Sequence, residues 1–300
     1  MISFIFVSLI FSVDAKNLDL MNVSKGSNWI VHMDFDSMRS SEIGMFIQEA
    51  YETIPEVQSK ILKAHEKYGI DIMETSNLTM FGSGEKHKGI GILEGGVDAS
   101  IVSEFARSKD SIEESKAGRN TIFSNLNGRR PIAFATLKKS KLVFGPNPDY
   151  VADGIFLSRG TGGEAYGHAM LDSLKGLLDD PGFLFFANVK GAMEVADLDE
   201  RVRLMVDKVD SAGMVIGEQL GGLKVICLIQ VNSVEMTEPM EIMIRGGLAM
   251  MDMKIGKYDK LDGFLKGYLV TSTGSQIRVE LEFSNPFIIK QIEKEMKKSV

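Results

Sequence analysis

A chain of 300 residues that is 44% hydrophobic and 25% charged has ordinary globular composition, with length enough to bury about three quarters of its unfolded surface in one large core or two ordinary ones. Its 34 Lys plus Arg against 41 Asp plus Glu leave a net charge of −7. That balance lacks the basic excess of a nucleic-acid binder and removes DNA and RNA from the expected partners.

Residues Ile2 to Phe11 are almost wholly apolar, and Val13-Asp14-Ala15 follows with the small or medium residues that a signal peptidase reads. No Lys or Arg precedes Lys16. The pattern predicts a signal peptide over 1–15, a mature chain beginning at Lys16, and export to the periplasm or beyond. A buried N-terminal strand is the alternative for the same run. No later apolar stretch reaches the roughly 20 residues of a membrane-spanning helix, so no stable span is expected after cleavage. The single cysteine, Cys227, sits in the apolar run Val225 to Ile229; it excludes an intramolecular disulfide and predicts a buried, unreactive thiol.

From Asn28 onward, strands and helices alternate. Trp29 to Asp34 reads as a buried strand running into a helix with Ile43, Phe46, Ile47, Ala50 and Ile54 inward. Pro55 separates this from a second helix carrying Val57, Ile61, Ala64, His65 and Tyr68, with Gly69 as its left-handed cap. Strands follow at Leu78–Phe81 and Ile90–Leu93, and Asp98 is the expected N-cap of a helix with Ile101, Val102, Phe105 and Ala106 inward. After a polar loop, Ile132–Leu137 and Leu142–Phe144 form a hairpin, and Asn147-Pro148 starts another helix.

The same grammar recurs after the glycine-rich segment 158–167. Gly182–Val189 is a strand, and Val195, Leu198, Val202, Met205 and Val209 space out an amphipathic helix. Strands Gly213–Leu220 and Leu223–Val231 precede a Met-rich helix opened by Pro239. A hairpin turning at Thr273-Gly274-Ser275 ends in Asn285-Pro286 and a final helix. The expected architecture is therefore α+β, in two similar halves, each a mostly antiparallel sheet with helices packed on one face. The first repeat spans 28–157, a linker 158–181, and the second repeat 182–298.

The most suggestive constellation for chemistry is His32-Met33-Asp34-Phe35-Asp36. Continued strand spacing would place His32, Asp34 and Asp36 on one side, where one imidazole and two carboxylates suit a divalent cation or acid–base work. The simpler alternative closes the strand at Asp34 and uses Asp36 as the cap of the next helix. No third spaced ligand supports a resident metal, and no motif calls for a cofactor. His65, His87 and His168 are too scattered to form a site by spacing, and Ser83 lacks the five-residue nucleophile elbow. The glycines around 160–167 lack the Lys-Ser/Thr of a phosphate loop. Arg129, Arg130, Lys138, Lys139 and Lys141 read as a solvated loop and turn, or as an anion patch. Among the 18 methionines, Met236, Met240, Met243 and Met250 predict a gap-filling core face, with a hydrophobic partner groove or copper thioethers at Met251 and Met253 as alternatives.

The strand Trp29 to Asp34 leading into Asp36 to Ser40 loosely resembles exported bacterial proteins of duplicated α+β architecture. That resemblance implies an exported α+β scaffold and transfers no site residue. With no recognisable catalytic set, the expected function is a non-enzymatic envelope protein that binds a protein or small-molecule partner between its halves. The alternative is a hydrolase or metal-dependent enzyme built on His32, Asp34 and Asp36.

Overall fold

Alternating buried and half-buried side chains along Trp29–Asp34 (β1) mark a strand covered on both faces. In the computed structural model, which describes residues 18–85, 88–160, 166–189, 207–255 and 263–299, this strand lies inside a 12-stranded sheet. The first half contributes β1, β2 (Ile70–Gly82), β3 (Ile90–Val97), β4 (Glu113–Ala117), β5 (Asn120–Asn125), β6 (Ile132–Leu137) and β7 (Lys141–Gly145). The second contributes β8 (Phe183–Asn188), β9 (Val209–Gln219), β10 (Gly222–Val231), β11 (Leu265–Thr273) and β12 (Gln276–Ser284).

Every pairing is antiparallel, and the halves join where β1 pairs with β8, Ile30 opposite Phe186. Outward from that junction the order is β1-β2-β3-β7-β6 on one side and β8-β9-β10-β12-β11 on the other. The two halves thus share one strand order, with β4 and β5 added at one outer edge. That added pair occupies the segment expected as a polar loop. Glu113, Glu114 and Lys116 give β4 no apolar alternation to read, because it is an exposed edge strand whose charges discourage pairing with other chains.

The helices sort by face. On the face carrying Ile30, Phe81, Leu184, Phe186 and Val215, α5 (Pro148–Leu157) and α6 (Ala169–Lys175) complete the largest core with Val151, Ile155, Leu171 and Leu174. The expected linker therefore contains a helix that belongs to the core. The connections within each half lie on the opposite face: α4 (Ala99–Arg107) packs Val102 over Leu142, and α7 (Thr237–Ile255) packs Met240 over Ile277 and Val279. On α7 the inward stripe is Met240, Ile244 and Leu248, four residues apart. Met243 and Met250, expected in the core, are 39% and 62% exposed. Their three- and ten-residue offsets from Met240 rotate them to the other side of that stripe.

Several local signals act as anticipated. Gly69, at φ +69°, ends α3 (Pro55–Tyr68), Asp98 accepts from Ser100 N and Ile101 N, and Asn147 caps α5 with Pro148 at its first position. The last helix, α8 (Asn285–Ser299), departs from that pattern. It begins one residue earlier than expected, so Phe287 N donates to Ser284 Oγ at 3.4 Å, while Asn285 Nδ2 donates to Glu42 Oε2 at 2.9 Å. Asn285 is a tertiary clasp where a cap was expected. The expected signal peptide over 1–15 and His87 lie outside the described residues, as does the helix expected from Val195 to Val209 except at its end, where Val209 opens strand β9 instead.

Candidate functional site

β1 stops at Asp34 because that side chain turns back on the chain. Asp34 Oδ1 accepts from Ser37 N at 2.9 Å and becomes the N-cap of α1 (Phe35–Ser40). The helix therefore starts before Asp36, which correspondingly is no cap. Asp36 is exposed and ion-pairs with Arg39 one turn later. His32 and Asp34 do share the α5/α6 face, at 5% and 3% exposure, but Asp36 leaves it. The candidate triad is thus not assembled, and among the described residues no group of three or more potential ligands is placed to hold a metal ion.

The two buried members join a different polar layer. In register across four strands stand Asp34, Asn77, Glu94 and Lys141. Lys141 Nζ lies 2.6 Å from Glu94 Oε1, and Asn77 Nδ2 is 3.5 Å from Glu94 Oε2. One row along, His32 Nδ1 meets Thr79 Oγ1 at 2.9 Å. His32, Asn77, Thr79, Glu94 and Lys141, with Asp19 and Asn22, border a polar cavity of about 120 Å³. Its members come from the turn before β1 and from β1, β2, β3 and β7, so no local motif announces them.

Burial holds the Asp34 carboxyl above the usual carboxylate range, opposed by the hydrogen bond from Ser37 N and assisted by the nearby charge of Asp36. The native state therefore binds more protons than the unfolded chain between the ordinary and raised values. Stability falls as pH rises through that window. Asp34→Asn keeps a capping oxygen and removes the buried charge. It should be neutral or stabilising at pH 7 and flatten that part of the pH dependence, whereas Asp34→Ala should cost about 1 kcal/mol. Asp36→Ala, on the exposed first turn, should stay within about 0.5 kcal/mol. Urea titrations of the three variants at pH 4 and pH 7 check this order.

Past Asp34 the chain builds an apolar groove. Two short turns of α1 bring Phe35 and Met38 to one wall, and α2 (Glu42–Thr53) adds Ile43 and Ile47. Ile72 and Met73 of β2 continue it, and Phe183, Ile216 and Leu223 form the floor where three strands of the second half end. Ile288 of α8 closes one side, and the space enclosed is about 410 Å³. The corner between α1 and α2 requires Gly44, since a Cβ there would stand 1.9 Å from the Met38 carbonyl oxygen.

The polar groups around the groove are mostly committed. Glu218 of β9 accepts from Glu42 N at 2.6 Å and Ile43 N at 2.9 Å. One carboxylate from the second half thereby satisfies the first orphan donors of a helix in the first half, at its positive end. Arg39 Nη1 donates to Thr75 O at 2.8 Å. Ser37 Oγ is buried and has no hydrogen-bond partner among the described residues.

The other sequence candidates fall into structural roles. His168 Nδ1 accepts from Met170 N at 3.3 Å as the cap of α6, with its ring 4.5 Å from that of Phe186. His65 lies in the last turn of α3. Ser83 follows the end of β2, and Lys138, Lys139 and Ser140 form the tight turn between β6 and β7, where Lys139 and Ser140 take positive φ. Cys227 is half-buried against the α7 core, and burial pushes its thiol above the ordinary value, which argues against nucleophilic use.

These features define an α+β protein whose continuous antiparallel sheet carries an apolar groove at the meeting of its halves. The fold is similar to that of TP0453. With crystal form III of TP0453 the TM-score is 0.53 at 9% identity, covering 92% of this chain and 98% of that one. With crystal form I it is 0.51 at 11% identity, covering 92% and 97%. At such identity the likeness is one of fold. No family model matches the sequence, and no curated protein matches it.

Proposed function

We propose that this chain is an exported, non-enzymatic binding module whose ligand is apolar and lodges in the groove between α1, α2 and the ends of β8 to β10. The observation that carries this reading is the groove itself, a 410 Å³ space lined chiefly by aliphatic and aromatic side chains contributed by both halves. Apolar concavities of this size are the usual form of small-molecule sites. Ile47 and Ile72 line it while remaining 45% and 55% exposed, so they present apolar surface to an incoming ligand. Export rests on the apolar N-terminal run and its Val-Asp-Ala ending. Among the described residues no helix is long and apolar enough to cross a membrane. The shared strand order supports descent of 28–157 and 182–298 from one unit, with the ligand site formed where the copies meet.

The environment-sensitive apolar probe N-phenyl-1-naphthylamine tests the reading. It should bind the wild type at one equivalent with enhanced fluorescence. Ile47→Glu combined with Ile72→Glu should weaken that binding at least tenfold, because it places two carboxylates on the groove wall. Both positions are substantially exposed, so stability should change little. Absence of binding, or binding indifferent to the double substitution, would rule the groove out.

A further inference from the structure

The apolar groove has a charged rim of unbalanced sign. Among the described residues, the charged side chains lining it are Arg39 of α1, Asp180 just ahead of β8 and Glu218 near the end of β9. β8 and β9 pair with Phe183 opposite Ile216, so both acids lie at the same end of these strands. Gly217 lets their backbones approach, since a Cβ there would stand 3.2 Å from Pro181 Cα and 3.4 Å from Asp180 O. Asp180 is exposed and Glu218 half-buried.

These charges are not equally committed. Arg39 ion-pairs with Asp36 and donates from Nη1 to Thr75 O at 2.8 Å, so its cation is neutralised beside the groove. Glu218 accepts from Glu42 N and Ile43 N at the positive end of α2, which offsets part of its charge. The Asp180 carboxylate has no hydrogen-bond or ion-pair partner among the described residues. The neighbouring Asp34 carboxyl feels the surplus: burial is the main cause of its raised pKa, and the charges of Asp36 and Asp180 add to it. One open carboxylate therefore stands at the rim of a cleft that is chiefly aliphatic and aromatic.

This arrangement constrains the polar end of a ligand. An alkyl carboxylate would bring a further anion to Asp180 and would find the guanidinium of Arg39 already paired. A neutral chain would fill the cleft and gain nothing from the rim. An alkyl chain ending in a primary ammonium matches both parts. Its methylenes cover Ile43, Ile47, Ile72 and Leu223, while its three N–H donors meet Asp180 and the remaining lone pairs of Glu218. On the reading of the groove as a ligand site, we infer that its ligands are amphiphilic amines and that Asp180 determines this specificity. The chain supplies most of the affinity, and the rim supplies the discrimination between charges.

Displacement of the neutral probe N-phenyl-1-naphthylamine from the full chain at pH 7 by octylammonium, 1-octanol and octanoate tests the inference, because the three share a chain length and differ in charge. Octylammonium should bind at least tenfold tighter than octanoate, with octanol between them. Asp180→Asn should shrink that ratio at least threefold, and Asp180→Lys should invert the order of the two ions. Each affinity is read relative to that of octanol in the same variant, so a general change in the groove cancels, and circular dichroism checks the fold. Octanoate binding as tightly as octylammonium, or a preference for the amine that survives Asp180→Lys, overturns the inference while the groove stands as an apolar site. Failure of the neutral probe to bind the wild type overturns the groove reading and the inference with it.

Discussion

Phe186→Ala should lower the free energy of unfolding by about 3–5 kcal/mol, the range for deleting a fully buried aromatic side chain. Phe186 has no exposed surface. It sits in the central strand β8, opposite Ile30 of β1 and Gly213 of β9. Its ring meets the Tyr166 ring edge-on at 6.3 Å and the His168 ring at 4.5 Å. Truncation therefore opens a void between the two halves and the layer of α6, where rigid strands on either side give little room for collapse. Urea unfolding should show a lower midpoint with an unchanged slope. Ile72→Ala, at a 55% exposed position, should stay within about 0.5 kcal/mol. A cost under about 1 kcal/mol for Phe186→Ala would mean that the junction of β1 with β8 is not where the stability of the fold resides.

The parts of this fold that were legible in the sequence are those fixed by local chemistry. Gly69, Asp98 and Asn147-Pro148 each act through a backbone position or a hydrogen bond two or three residues away, and each lies where expected. The hairpins at 138–140 and 273–275 were equally legible, because apolar alternation on either side brackets a short turn. What escaped was set by distant partners. Strand β4 carries no apolar pattern and exists because β5 offers it a ladder. Asn285 looks like a cap, yet its amide is drawn to Glu42, 243 positions away in the chain. Within the candidate site the discrepancy was one of phase, since a helix beginning at Phe35 makes Asp34 the cap and turns Asp36 to solvent. The groove was illegible for a further reason. Its walls come from α1, α2, β2 and α8 and its floor from strands of the other half, so its residues share no spacing.

The buried row Asp34, Asn77, Glu94 and Lys141 gives the sharpest energetic expectation. Glu94 and Lys141 side chains are 9% and 20% exposed, with Nζ and Oε1 2.6 Å apart. Desolvation of both ions is offset by their mutual attraction and by the amide of Asn77 at 3.5 Å. Glu94→Leu would leave the ammonium of Lys141 largely buried beside an apolar group, and should cost about 3 kcal/mol. Lys141→Met would remove the cation paired with the more deeply buried Glu94 carboxylate, and should cost at least as much. The double variant removes both charges and fills the row with side chains of comparable volume. It should therefore lose less than either single variant, because a buried pair exchanged for apolar residues is often close to neutral. A double-mutant cycle in urea should report a coupling of at least about 3 kcal/mol, the cost of one single variant. Most of that coupling should persist in 1 M NaCl, since salt screens surface pairs far more than buried ones. Additive single effects would show that the two ions act independently, and disappearance of the coupling in salt would place the pair in contact with bulk solvent.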